Sequence, residues 1–137
     1  MNETVEYWLA FAREDLQSAK LLLEKGIYNQ ACFHSQQCVE KALKALFIYH
    51  QGRMPPRIHM IVDLLGLLPT KWFADVAADS IEKIDNYYII TRYPDALPGT
   101  LEQGLPEKDE AEEAVALAHI MIEKAKHLIQ DLGKEKA

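Results

Sequence analysis

The chain has 137 residues, enough for one domain of ordinary size with its own core. At 49% hydrophobic and 26% charged it has a globular composition, which argues against disorder. No apolar run approaches the ~18 residues of a membrane span, and the opening MNETVEYW is acidic where a secretory leader is basic and then apolar, so a soluble cytoplasmic protein is expected. The net charge of −6 is unevenly spread: Glu102 to Glu113 holds six acids and one lysine, whereas Tyr28 to His59 sets Lys41, Lys44, Arg53 and Arg57 against Glu40. Overall acidity excludes general coating of nucleic acid but leaves room for a local anion site on the basic stretch.

The periodicity is helical nearly throughout. Val5, Leu9, Ala12, Leu16, Ala19 and Leu23 form a stripe with alternating spacings of four and three, with Glu3 and Glu6 at the helix start and Lys25 at its end. Gly26 fits the position after that helix. A second helix is expected from about Tyr28 to His50, with Ala31, Cys38, Ala42, Ala45 and Tyr49 inward and Val39, Leu43 and Leu46 widening the face. Gly52 and Pro55–Pro56 end it. The very short joint predicts antiparallel neighbours. A short third helix is expected over Met60–Leu68, stopped by Pro69. A fourth is expected over about Lys71–Thr91, with Phe73, Val76, Ala77, Ile81, Ile84 and Tyr88 inward.

Residues 92–106 carry three prolines and two glycines and read as a loop, of a length more often functional than a tight turn. The last helix begins after Pro106. Its first turns hold Glu107, Asp109, Glu110, Glu112 and Glu113, and its seam is Ala111, Ala114, Ala118, Ile122, Ala125, Ile129 and Leu132, with Gly133 expected to close it. The acidic cluster thus complements a helix N-terminus. The pattern predicts one all-α domain over residues 1–137, an up-and-down bundle of four long helices and one short one.

Two groups of residues can carry chemistry. His34, Gln37, Lys41 and Lys44 are spaced three, four and three, a single stripe able to hold a phosphate and a base edge; equally, it can be a solvated face with Glu40–Lys44 as an ordinary i,i+4 pair. Arg92-Tyr93-Pro94-Asp95 sets an arginine where a helix breaks, able to grip phosphate bidentately or to pin the loop through Asp95 or another carboxylate.

Other chemistries lack their residues. Cys32 and Cys38 are six residues apart on one helix, a rise of roughly 9 Å, too far for a disulfide. His34 and Cys38 have a legal i,i+4 metal spacing, but two ligands make no site. No Glu-x-x-His, phosphate-cradling glycine loop or nucleophile elbow occurs, and no metal or cofactor is expected. The aromatics Tyr7, Trp8, Trp72, Tyr87, Tyr88 and Tyr93 read as core and rim, or as a dimer surface.

Together, Trp8, Asp15-Leu16, Ala19 and Leu22-Leu23 in the first helix, the run QQCVEKALKAL from Gln36 to Leu46, Ile58-His59, Asp63-Leu64-Leu65 and Arg92-Tyr93-Pro94-Asp95 resemble the HEPN domain, over nearly the whole chain. The resemblance implies a five-helix antiparallel bundle that forms a homodimer, nucleotide binding, and partnership with a small nucleotidyltransferase-like protein. It places Gln37, Lys41, Lys44, Arg92 and Tyr93 at a ligand, with Glu40, His59 and Asp95 in support. Catalytic HEPN relatives are metal-independent ribonucleases, the toxins of toxin–antitoxin pairs, marked by an arginine followed four to six residues later by a histidine in the second half of the chain. Here the first histidine after Arg92 is His119, inside the last helix, and the Arg53–His59 spacing falls across Pro55 and Pro56 in a different connection. No catalytic residue is therefore assigned. The favoured expectation is a binding module; a ribonuclease toxin acting on RNA and a purely architectural dimer are the alternatives.

Overall fold

The computed structural model describes residues 3–90 and 105–136. Five α-helices are present among them: α1 (Glu3–Glu24), α2 (Tyr28–Gln51), α3 (Ile61–Leu65), α4 (Ala78–Ile90) and α5 (Lys108–Lys136). The fold is an all-α bundle with four long helices and one short one, as the periodicity predicts. No described helix is long and apolar enough to cross a membrane.

The helix at the centre is α2, packed along α1 on one side and α5 on another, with α3 and α4 against its remaining flank. Sequence explains this position. Its inward residues include Ala31, Ala42 and Ala45, all fully buried, and small side chains let neighbouring helices approach closely. Gly26 and Gly52 both adopt the left-handed conformation, at φ 76° and 70°, where a side chain would strain the backbone. Gly26 closes α1 and Gly52 caps α2, its N–H donating to the Ile48 carbonyl at 2.8 Å.

Three local expectations need correction. The segment from Lys71 to Thr91 is not one helix: Thr70–Phe73 form a 3-10 turn and α4 starts only at Ala78. Phe73 is buried and Val76 packs on the core, but Ala77 is exposed. A spacing of three suits a 3-10 turn as well as an α-helix, so two inward residues could not distinguish them. The third helix is shorter than expected; beyond Leu65 the chain continues in tight turns, Leu67 N–H to Leu64 and Leu68 N–H to Leu65, up to Pro69. Gly133 does not end α5, which runs on to Lys136. Its missing Cβ has another use: a methyl there would stand 3.1 Å from the Tyr49 hydroxyl.

Candidate functional site

The polar residues of α2 divide into two ion-paired groups, each built on one carboxylate. Facing α1, Asp15 receives Lys41 Nζ on Oδ2 at 2.6 Å, while His34 Nδ1 lies 2.9 Å from Oδ1. Burial raises the Asp15 pKa, but the hydrogen bonds from His34 and Lys41 outweigh it and hold the carboxyl below its ordinary value. Cys38 sits beneath this group, fully buried, with its thiol toward the Ala118 carbonyl and pushed up to about 12 by burial and by the Asp15 charge. Such a thiol is a small hydrophobe and not a nucleophile.

Facing α3, Glu40 is the hub. Lys44 donates to its Oε2 at 2.8 Å, His59 Nδ1 lies 3.2 Å from the same oxygen, and Gln36 donates to Oε1 at 3.3 Å. Gln36 also donates to the His59 carbonyl at 3.0 Å and accepts from Gln37 at 2.7 Å. The Lys44 ammonium lies 5.5 Å from the centre of the Trp8 ring, roofed by α1. The His59 ring, half-exposed, stacks on Tyr88 of α4 at 5.2 Å with planes 12° apart.

The segment carrying His59 is anchored from α4. Asp85 accepts the backbone N–H of Ile61 and, at 2.9 Å, that of Val62, so it satisfies two donors at the start of α3. Burial raises the Asp85 pKa, and these two hydrogen bonds only partly offset it; the charges of Asp63 and Glu40 push the same way as burial. Glu40, Gln36, His59, Tyr88 and Asp85 thus form one corner where α2, the α3 connection and α4 meet.

Of the expected ligand residues, Gln37, Lys41 and Lys44 all lie on α2 but turn to different partners. Lys41 faces Asp15, Lys44 is buried against Glu40 and Trp8, and Gln37 leans on Gln36. Glu40 and His59, expected in support, meet directly. Arg92, Tyr93 and Asp95, with most of the expected loop, lie outside the described residues. No group of three metal-ligating side chains comes together among the described residues. Asp15, Gln36 and Asp85 were not singled out as site residues. The signal for the two acids was there: Asp15 stands three positions after Ala12, and Asp85 four after Ile81, so both fall on inward faces where an acid requires a partner.

Residues 5–128 match the HEPN domain family. This chain belongs to that family. A relative from Methanocaldococcus jannaschii, named "putative toxin", is 32% identical over 133 residues, 91% of this chain and 85% of that one. A crystal structure from Thermus thermophilus superposes with a TM-score of 0.77 at 36% identity, covering 93% of this chain and 99% of the other. An archaeal HEPN homologue gives 0.70 at 32% identity, with 93% and 99% covered. A HEPN domain protein of Thermotoga maritima gives 0.65 at 26%, with 90% and 98% covered. The HEPN bundle therefore spans nearly the whole described chain, and the α2–α3–α4 corner lies inside the family match.

Proposed function

We propose that this HEPN-domain protein is a homodimeric binding module that takes a nucleotide, or a nucleotidyltransferase-like partner, and belongs to a branch that does not itself cut RNA. The observation that carries the reading is the half-exposed His59 ring, stacked on Tyr88 and held through Nδ1 by buried Glu40. A ring fixed in this way gives a base a stacking surface and leaves Nε2 to meet a polar ligand atom. Arg92 and Tyr93 follow Tyr88 by four and five residues, so the arginine and ring of the RYPD segment adjoin this corner in the chain. In this reading Arg92 grips phosphate and Tyr93 contacts base or sugar, with Asp95 pinning the loop. Lys41 adds a second cation: an ammonium has three N–H donors, and the bond to Asp15 leaves two for a phosphate oxygen. Gln37 offers its amide to a base edge, and Lys44 acts indirectly by holding Glu40.

The test is calorimetric titration with nucleoside triphosphates, with and without magnesium. Saturable binding is expected, weakened about tenfold or more in Lys41→Ala, Arg92→Ala and His59→Ala. A flat trace at millimolar nucleotide overturns nucleotide binding and leaves the protein partner as the remaining ligand.

A second reading, a ribonuclease toxin, is favoured by the name of the archaeal relative. It requires a general acid–base at the scissile phosphate. Growth arrest on expression, with RNA degraded by the purified protein and spared by His59→Ala, would replace the binding reading with this one.

A further inference from the structure

Helices α4 and α5 both rest on α2 and leave a cleft between them, away from the His59 corner. It consists of a compartment of about 350 Å3 over Ile84, Ala114, Leu117 and Ile120, continuous with one of about 490 Å3 rimmed by Glu107, Asp109, Glu110 and Glu113. The compartments share Lys83, Tyr87, Glu110 and Glu113, so they form a single groove with an apolar end and an acidic end.

The acids complement the α5 N-terminus, and Glu110 accepts the Glu107 N–H at 3.4 Å. That role explains nothing about the apolar floor that continues from them. Ile120 is 51% exposed, and with Leu117 it extends the line of Glu110, Glu113 and Ala114 along one face of α5 for about 15 Å. Among the described residues, four carboxylates face one cation, Lys83, whose ammonium reaches Glu113 only at 3.5 Å in an exposed pair of little strength. A second groove, beside α3 and lined by Met60, Val62, Leu65 and Phe73, has among its described residues only two acids, Glu82 and Asp85, and Asp85 is already engaged by the Ile61 and Val62 amides.

We infer that the α4–α5 groove docks an amphipathic helical segment of a partner protein, apolar along one face and rich in lysine or arginine at one end. An amphipathic helix lies in such a groove through its own side chains at i, i+3, i+4 and i+7, and Glu110, Glu113, Ala114, Leu117 and Ile120 share one face of α5, so the wall they form can meet about three turns of it. The acidic rim fixes the direction of the segment, since reversing it would leave its cations on the apolar floor. The described residues that line the groove include none of Gln37, Lys41, Lys44 or His59, so the groove does not depend on the nucleotide reading.

The probe is a fluorescein-labelled peptide of about four helical turns, with a leucine stripe and lysines clustered at one end. Its controls are a scrambled isomer and a version with glutamates in place of the lysines. Anisotropy with the full chain should give saturable binding of the basic amphipathic peptide, at least about tenfold tighter than either control and weaker as salt rises. The Glu110→Lys/Glu113→Lys double variant and Ile120→Glu should each weaken it about tenfold, while Val62→Glu, in the other groove, should not. Circular dichroism identifies any variant that fails to fold, and Leu117→Gln then substitutes for it. Equal binding of the scrambled isomer, or binding untouched by the groove variants, overturns the proposal. So does a dimer that Ile120→Glu converts to monomer in sedimentation, because the groove would then be covered by a second copy.

Discussion

The two ion groups on α2 have the same composition, a carboxylate, a lysine and a histidine, yet they expose different members. In the Asp15 group the lysine side chain is 26% exposed and the histidine 30%. In the Glu40 group the lysine is 9% exposed and the histidine 51%. One presents part of an ammonium, the other an aromatic ring backed by a buried charge pair. The lesson is that the tertiary neighbour sets the role: α1, through Trp8, closes over Lys44, whereas His59 is held only at one edge by Glu40 and on one face by Tyr88.

The sharpest test of this difference is Glu40→Leu. It strands the Lys44 ammonium beneath Trp8, and loss of about 3–5 kcal/mol is expected in urea denaturation. Adding Lys44→Met should recover most of that loss, because an apolar pair of similar volume suits the site; no recovery would mean that Glu40 matters chiefly through Gln36 and His59. Asp85→Ala removes the acceptor for two α3 amides and should cost about 1–2 kcal/mol, freeing the segment that carries His59.

Asp15→Asn should cost about 1 kcal/mol at neutral pH, since its partners are partly solvated. Its pH dependence is more telling. The Asp15 pKa is lowered in the fold, so its stabilisation is present above the ordinary value of 3.8 and is lost as pH falls through the lowered one. The gap between wild type and Asp15→Asn should therefore close in acid. Asp85, whose pKa is raised, has the opposite sign: the stability linked to its protonated form is full below 3.8 and is lost as pH rises through the raised value. Stability curves of the two Asn variants against pH, each referred to wild type, would expose an error in either assignment. The smallest stability effect is expected for His59→Phe, under about 1 kcal/mol, because stacking on Tyr88 survives and Glu40, though it loses His59, still accepts from Lys44 and Gln36.

Much of the bundle was legible because helical periodicity and burial are the same fact seen twice. The inward residues named on α1 are buried at Val5, Leu9, Ala12, Leu16 and Ala19, with Leu23 half-buried at the end. Where only a few residues carried the pattern, as at Phe73 and Val76, a 3-10 turn and an α-helix gave the same spacing. Gly133 was misread for a related reason. Glycine often follows a helix, but only the position of Tyr49 on another helix shows why one lies within α5.

The site was less legible than the fold. A stripe of His34, Gln37, Lys41 and Lys44 is real as helical geometry, but sequence spacing fixes only the angle at which each side chain leaves α2. Adjacent members of such a stripe diverge by tens of degrees, enough for Lys41 to meet Asp15 on α1 and for Lys44 to turn under Trp8 to Glu40. The sequence by itself determined the helices, their apolar faces and the family, because those follow from local periodicity and short-range motifs. Apart from the local Glu40–Lys44 pair, which charges are neutralised and which ring stays open to solvent were decided only by tertiary packing, because Asp15 meets His34 and Lys41 across 19 and 26 residues of chain and Glu40 meets His59 across 19.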